Sequence, residues 1–195
     1  MSFWHHHQVR HVTELTYTKG QEQGSVLFGK FYLAKYENVM LLKGFSGTGK
    51  STLVQRLLNE IPKLDDMCRM LSDQYIAYEP VLTATTNQAA EALAASTNFT
   101  REVTTIHRFL GLRVMVEDYR TNKRKLVATR KEKRRRFLIF IDEASYIDQE
   151  LLNLIMEQVE DCKIVFIGDH AQLKPVQSNY MPAFSMNRNE IELTE

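Results

Sequence analysis

The sequence predicts an α/β protein: a mainly parallel sheet with helices on both faces and a small β-hairpin insertion. Two observations and one rule of chain connection carry this prediction. Short apolar runs ("NVMLLKG", "PVLTATT", "RRRFLIFIDEAS", "KIVFIGD") alternate with stretches of helical spacing. A strand that returns to its sheet through a helix lies parallel to the strand it left. One glycine-rich loop, "GFSGTGKS", stands between a strand pattern and a helix pattern.

The elements follow in order. Residues 1–15 read as a polar tail. The run His5 to His7 with His11 has no acidic or cysteine partner at ligand spacing, so it reads as a solvated terminus. From Gln21 to about Tyr36, Val26, Phe28 and Leu33 recur at helical spacing and suggest a first helix. "NVMLLKG" is a buried strand, and "KSTLVQRLLNEI" an amphipathic helix stopped by Pro62. Residues 63–79 carry no decisive pattern. "PVLTATT" is a second strand, followed by the Ala-rich helix "NQAAEALAAS" with Asn87 as its cap. "TTIHRFLG" is a short helix closed by Gly111. "RVMVEDY" and "KLVAT" pair as a hairpin around polar "RTNKR". Strand "RRRFLIFIDEAS", helix "DQELLNLIMEQV" and strand "KIVFIGD" complete the alternation.

Composition narrows the class. The 195 residues suffice for one ordinary domain or a domain with an inserted subdomain, and 44% hydrophobic with 25% charged is near the soluble globular average. A net charge of +1 gives no global field, so attraction to a polyanion must be local. No apolar run approaches the roughly 20 residues of a membrane span, and the start lacks a signal peptide's apolar stretch. Cys68 and Cys162 stand apart from any CxxC pattern and read as reduced thiols. The expectation is a cytoplasmic protein with no membrane partner.

"GFSGTGKS" fits GxxxxGK[ST]. Its glycines let backbone amides turn inward around phosphates, and the helix start adds partial positive charge. Gly44, Ser46, Gly47, Thr48, Gly49, Lys50, Ser51 and Thr52 are therefore the candidate nucleotide contacts. Lys50 supplies a full charge at the β/γ position, and Ser51 offers a hydroxyl to Mg2+. "FLIFIDEAS" places two carboxylates at a strand end, where adjacent residues point to opposite sides. Asp142 can reach a metal's coordination sphere, and Glu143 can deprotonate the attacking water. In "FIGDHAQLKPV", Gln172 can bond a γ-phosphate or that water, while Asp169 braces the loop.

The order of these motifs resembles the first motor domain of superfamily 1B DNA helicases, of the RecD and phage Dda type. "GFSGTGKST" looks like their Walker A motif, "FIDEAS" like Walker B, and "GDHAQLKPV" like motif III. "TYTKGQ" resembles the Q motif, "VLTATTNQAAEAL" motif Ia and "TTIHRFLGL" motif Ic. The resemblance implies a P-loop NTPase of RecA-like fold. Residues 16–112 and 135–195 would be the two parts of domain 1A, and residues 113–134 a pin-like 1B hairpin. It implies ATP hydrolysis with Mg2+, coupled to 5′ to 3′ stepping on single-stranded DNA. Gln21 would read adenine. Thr86 and Thr105 would hold DNA phosphates, though both also suit helix capping. Asn87 stands where Dda-type enzymes often carry a base-stacking histidine. His107 reads chiefly as a packed histidine and secondarily as a DNA contact.

The family usually continues past this point to an arginine on the γ-phosphate and a second RecA-like domain. The chain ends at "IELTE", so it is expected to be a fragment or to borrow that half from a partner. By itself it should bind nucleotide, hydrolyse it feebly and leave duplex intact, since such an arginine is worth roughly 10³–10⁵ in rate.

Between Arg120 and Arg136, "RTNKRKLVATRKEKRRR" is strongly basic. Such a run binds nucleic acid through counter-ion release, making Arg134, Arg135 and Arg136 candidate DNA contacts; it also suits a solvated loop. Two other classes stay open: an ATP-dependent DNA-binding module without a motor cycle, and a P-loop small-molecule kinase.

Overall fold

The computed structural model describes residues 16–118, 123–171, 180–186 and 189–194. Thr18 opens the first helix, α1 (Lys19–Leu33), through a reciprocal cap. Its hydroxyl accepts from the Gln21 N–H, and the Gln21 side chain accepts from the Thr18 N–H. The chain continues as β1 (Val39–Gly44), α2 (Lys50–Leu71), β2 (Glu79–Ala84), α3 (Asn87–Ser96), β3 (Thr104–Thr105) and α4 (Ile106–Leu110). A hairpin, β4 (Leu112–Asp118) and β5 (Lys123–Ala128), leads to β6 (Arg134–Arg135) and β7 (Phe137–Asp142). Then come α5 (Gln149–Gln158), β8 (Val159–Glu160), β9 (Lys163–Gly168) and β10 (Asn189–Leu193).

Six strands form one parallel sheet in the order β10–β1–β9–β7–β2–β3. Side-chain alternation sorts the strand residues between two cores. Leu138 and Phe140 of β7 pack with Phe28 and Phe31 of α1, Leu53 and Leu57 of α2 and Leu93 of α3. Ile139 and Ile141 face the other way, against Ile106 and Leu110 of α4 and Leu151 and Ile155 of α5. Helices therefore cover both faces, as the alternation of elements requires.

The first helix begins two residues earlier than expected, and only one of its three expected apolar markers is buried. Val26 is 60% exposed; Phe28, Phe31 and Tyr32 form the buried stripe instead. Pro62 does not stop α2, which runs nine residues further. An interior proline costs about 3 kcal/mol. Beyond it Leu64 and Cys68 are buried, and Asp65 accepts 2.6 Å hydrogen bonds from the hydroxyls of both Tyr32 and Tyr75. Each buried apolar side chain contributes about 1.5–3 kcal/mol, which offsets the lost backbone bond. The α3 cap is Thr86, not Asn87: its hydroxyl accepts from the Ala89 N–H, leaving Asn87 as the first helical residue. β10 was not foreseen; Ile191 and Leu193 alternate into the first core at the sheet edge.

The expected hairpin forms, with Val114 opposite Leu126 and Leu112 opposite Ala128. Leu126 and Ala128 pack against the second core, and the Leu126 N–H donates to the Glu150 carboxylate. Val114 and Met115 remain exposed.

Lys163, at the start of β9, is buried, and its ammonium donates to the carbonyls of Phe31, Ala34 and Glu37 at 2.7–2.8 Å. It closes the C-terminal end of α1, where the backbone oxygens lack helical partners. Burial lowers its pKa to about 8, so it is still charged at neutral pH. Lys163→Met removes one buried charge but leaves three carbonyls without this donor. The expected loss is about 3 kcal/mol in urea-unfolding stability; an unchanged midpoint would refute the cap.

Candidate nucleotide-binding site

The loop after β1 turns on two glycines. Gly47 and Gly49 have φ of +85° and +79°, a conformation other residues adopt only under strain. Gly49 is the N-cap of α2, so the first amides of a 22-residue helix open onto the loop. Lys50 bends back over it, its ammonium donating to the carbonyls of Gly44 at 2.7 Å and Phe45 at 2.8 Å. The Thr48 hydroxyl bonds the Phe45 carbonyl and tightens the turn.

At the carboxyl end of β7, two strands away, stand Asp142 and Glu143. Glu143 has φ of +55°, which breaks the strand, and its N–H donates to Asp142 Oδ1 at 2.9 Å. Burial raises the pKa of both carboxyls; for Glu143 the neighbouring Asp142 charge raises it further, and Lys50 opposes both shifts. An open cavity of about 320 Å³ is lined by Ser46, Gly47, Gly49, Lys50 and Ser51 together with Asp142 and Glu143. The structure thus brings the phosphate loop and the paired acids to one crevice at the strand ends.

The remaining candidates fall in different places. Asp169, buried after β9, braces its loop by accepting from the Ala171 N–H, and its charge also acts on Glu143. Gln172 lies outside the described residues, as does most of its motif. Gln21 is only 5% exposed, and its amide is shared between the Thr18 N–H and the Gly49 carbonyl. Thr86 and Thr105 cap α3 and α4 at the carboxyl ends of β2 and β3, so both also sit on the crevice side of the sheet. Thr85, one residue earlier, bonds the Glu143 carbonyl at 3.4 Å and ties that strand end to the acids. Sequence reasoning missed this link, although Thr85 lies within the motif Ia stretch, because its partner stands 58 positions away. His107 is half-buried on α4, and burial lowers its pKa.

The arginine triplet precedes β7, at the end of the sheet opposite the acids. Arg134 donates twice to the Phe109 carbonyl and stacks on the Phe109 ring at 4.6 Å. Arg135 pairs with Glu160, and Arg136 pairs with Asp161 and stacks on Tyr78 at 4.2 Å. All three bind the protein's own groups.

A glycine-rich phosphate loop on one parallel strand, facing paired acids on another across a single intervening strand, defines a P-loop NTPase of RecA-like architecture. The chain belongs to the AAA domain family, which matches residues 32–178. It is 29% identical to the RecBCD enzyme subunit RecD of Buchnera aphidicola subsp. Schizaphis graminum, over 75% of this chain and 25% of that protein. RecD from the Acyrthosiphon pisum strain is 24% identical over similar shares. The chain spans about a quarter of the length of these relatives. Among solved structures, the Pif1 helicase from Candida albicans superposes with a TM-score of 0.60 at 21% identity, covering 93% of this chain and 40% of that one. Bacteroides Pif1 bound to ssDNA gives 0.58 at 16% identity, with 93% and 42% covered. The resemblance to the first motor domain of superfamily 1B helicases is borne out in fold and in sequence. Among the described residues, no helix is long and apolar enough to cross a membrane.

Proposed function

We propose that the chain is the ATP-binding and ATP-hydrolysing half of a superfamily 1B DNA helicase, one that couples hydrolysis to 5′ to 3′ translocation on single-stranded DNA. The observation that carries this reading is the shared crevice: the Lys50 charge acts on both Asp142 and Glu143 across one cavity. A bare Gly-rich turn has no reason to face two half-buried acids. The RecD and Pif1 relatives supply the helicase context.

In this reading the amides at the start of α2 and the Lys50 ammonium hold the triphosphate. The Ser51 hydroxyl and Asp142 carboxylate are hard oxygen donors suited to Mg2+, which when bound neutralises phosphate charge. Glu143 orients a water and takes its proton. The raised pKa of Glu143 makes it a stronger base than a solvated glutamate. Thr86 and Thr105, with the first amides of α3 and α4, contact DNA phosphates on the same rim. Residues 113–134 act as the pin-like insertion within domain 1A. A second RecA-like domain completes the motor and supplies the arginine.

The test is ATP turnover with and without single-stranded DNA, at several salt concentrations. Single-stranded DNA is expected to raise turnover at least several-fold, and salt to erode the effect. ATP turnover indifferent to DNA would overturn the motor reading in favour of a kinase-like enzyme. ATP-dependent DNA binding without stimulated turnover would favour a non-motor module.

A further inference from the structure

Gln21 lies in the stretch the family resemblance assigns to adenine, yet its surroundings give it another task. Its Nε2 donates to the Gly49 carbonyl at 3.2 Å, while its Oε1 accepts from the Thr18 N–H at 3.0 Å. These two partners engage both ends of the amide. The Gly49 carbonyl also accepts the first helical bond of α2, from the Leu53 N–H at 3.0 Å. Both of its lone pairs are therefore engaged.

That carbonyl belongs to the peptide joining Gly49 to Lys50. A trans peptide is planar, and its C=O and N–H point in opposite directions. Pinning the oxygen toward Leu53 and Gln21 turns the Lys50 N–H away from the helix body, toward the phosphate crevice. The fit is close: a Cβ on Gly49 would lie 2.5 Å from Gln21 Nε2. The platform carrying Gln21 is equally constrained. Gly24, one turn along α1, sits so near α2 that a Cβ there would meet Leu53 at 2.8 Å. α1 thus rests on the first turn of α2 and delivers Gln21 to the phosphate loop.

We infer that Gln21 is a positioning residue for phosphate: it aims the Lys50 amide through the Gly49 carbonyl and acts on polyphosphate affinity whatever base is attached. The inference rests on the nucleotide reading above and adds to it a base-independent role for a residue remote from the phosphates in sequence.

The test compares Gln21→Met with wild type by calorimetry, using Mg2+ with three probes: inorganic tripolyphosphate, an unhydrolysable ATP analogue and its GTP counterpart. Methionine keeps the length and helix propensity but removes the donor. Thr18→Ala is the control, since it removes half of the helix cap and leaves the Gln21–Gly49 bond. All three probes are expected to weaken about tenfold in Gln21→Met and to stay within about twofold of wild type in Thr18→Ala. Loss of ATP-analogue affinity alone, with tripolyphosphate unchanged, would assign Gln21 to the base and overturn the inference. Unchanged affinity for all three, or equal losses in both variants, would reduce Gln21 to a helix cap. Absence of binding in folded wild type would instead remove the nucleotide reading itself.

Discussion

Glu143→Gln is expected to lower DNA-stimulated ATP turnover by roughly 10²–10⁴-fold and to leave nucleotide affinity nearly unchanged. Glutamine keeps the shape of the side chain and loses the basic oxygen. The backbone at φ +55° is kept too, because the Glu143 N–H still bonds Asp142 Oδ1. The wild-type rate should show an acid limb above the ordinary glutamate range, since burial and the Asp142 charge raise the Glu143 pKa. Stability should move the other way. Between the ordinary carboxylate range and the raised values, the unfolded chain has released protons that the folded chain still holds. Folding stability therefore falls as pH rises through that window, and the full cost persists above it. Glu143→Gln is thus expected to melt higher than wild type at neutral pH, with the gain shrinking on acidification. Thermal melts at two pH values measure this, and a lower melting point at neutral pH would contradict the burial argument.

Lys50→Ala should abolish nucleotide-supported activity, with losses of at least about 10² in binding and turnover together. The ammonium stands over the loop on the Gly44 and Phe45 carbonyls and acts electrostatically on both acids. Without it, two half-buried carboxylates face the incoming phosphates uncompensated. Asp142 and Glu143 should then shift further up in pKa, and added Mg2+ should recover only part of the affinity. Near-wild-type turnover in a folded Lys50→Ala protein would place the nucleotide elsewhere. Equilibrium titration beside steady-state turnover separates the two losses.

The residues that build the crevice were legible because their chemistry is local. The sequence "GFSGTGKS" needs positive-φ glycines whatever surrounds it, and Asp142 and Glu143 end an apolar run too short to be anything but a strand. Their meeting followed from the parallel alternation of elements. What stayed hidden depends on contacts distant in sequence. Pro62 reads as a helix stop, but the hydroxyls of Tyr32 and Tyr75 meet at Asp65 and hold the next turns in place. Arg134, Arg135 and Arg136 read as a free basic run, since nothing nearby announces Phe109, Glu160 and Asp161 as their partners. Asn87 and Thr86 are both good caps, and only the end of β2 at Ala84 decides between them. Gln21 was found through its motif, yet its bond to Gly49 spans 28 positions.

Calorimetric titration of the folded chain with an unhydrolysable Mg-ATP analogue puts the central claim to its most direct test. Saturable heat at one nucleotide per chain, strongly diminished in Lys50→Ala and retained in Glu143→Gln, is the expected result. No heat from wild type, or heat indifferent to Lys50, would contradict a triphosphate seated between the phosphate loop and the two acids.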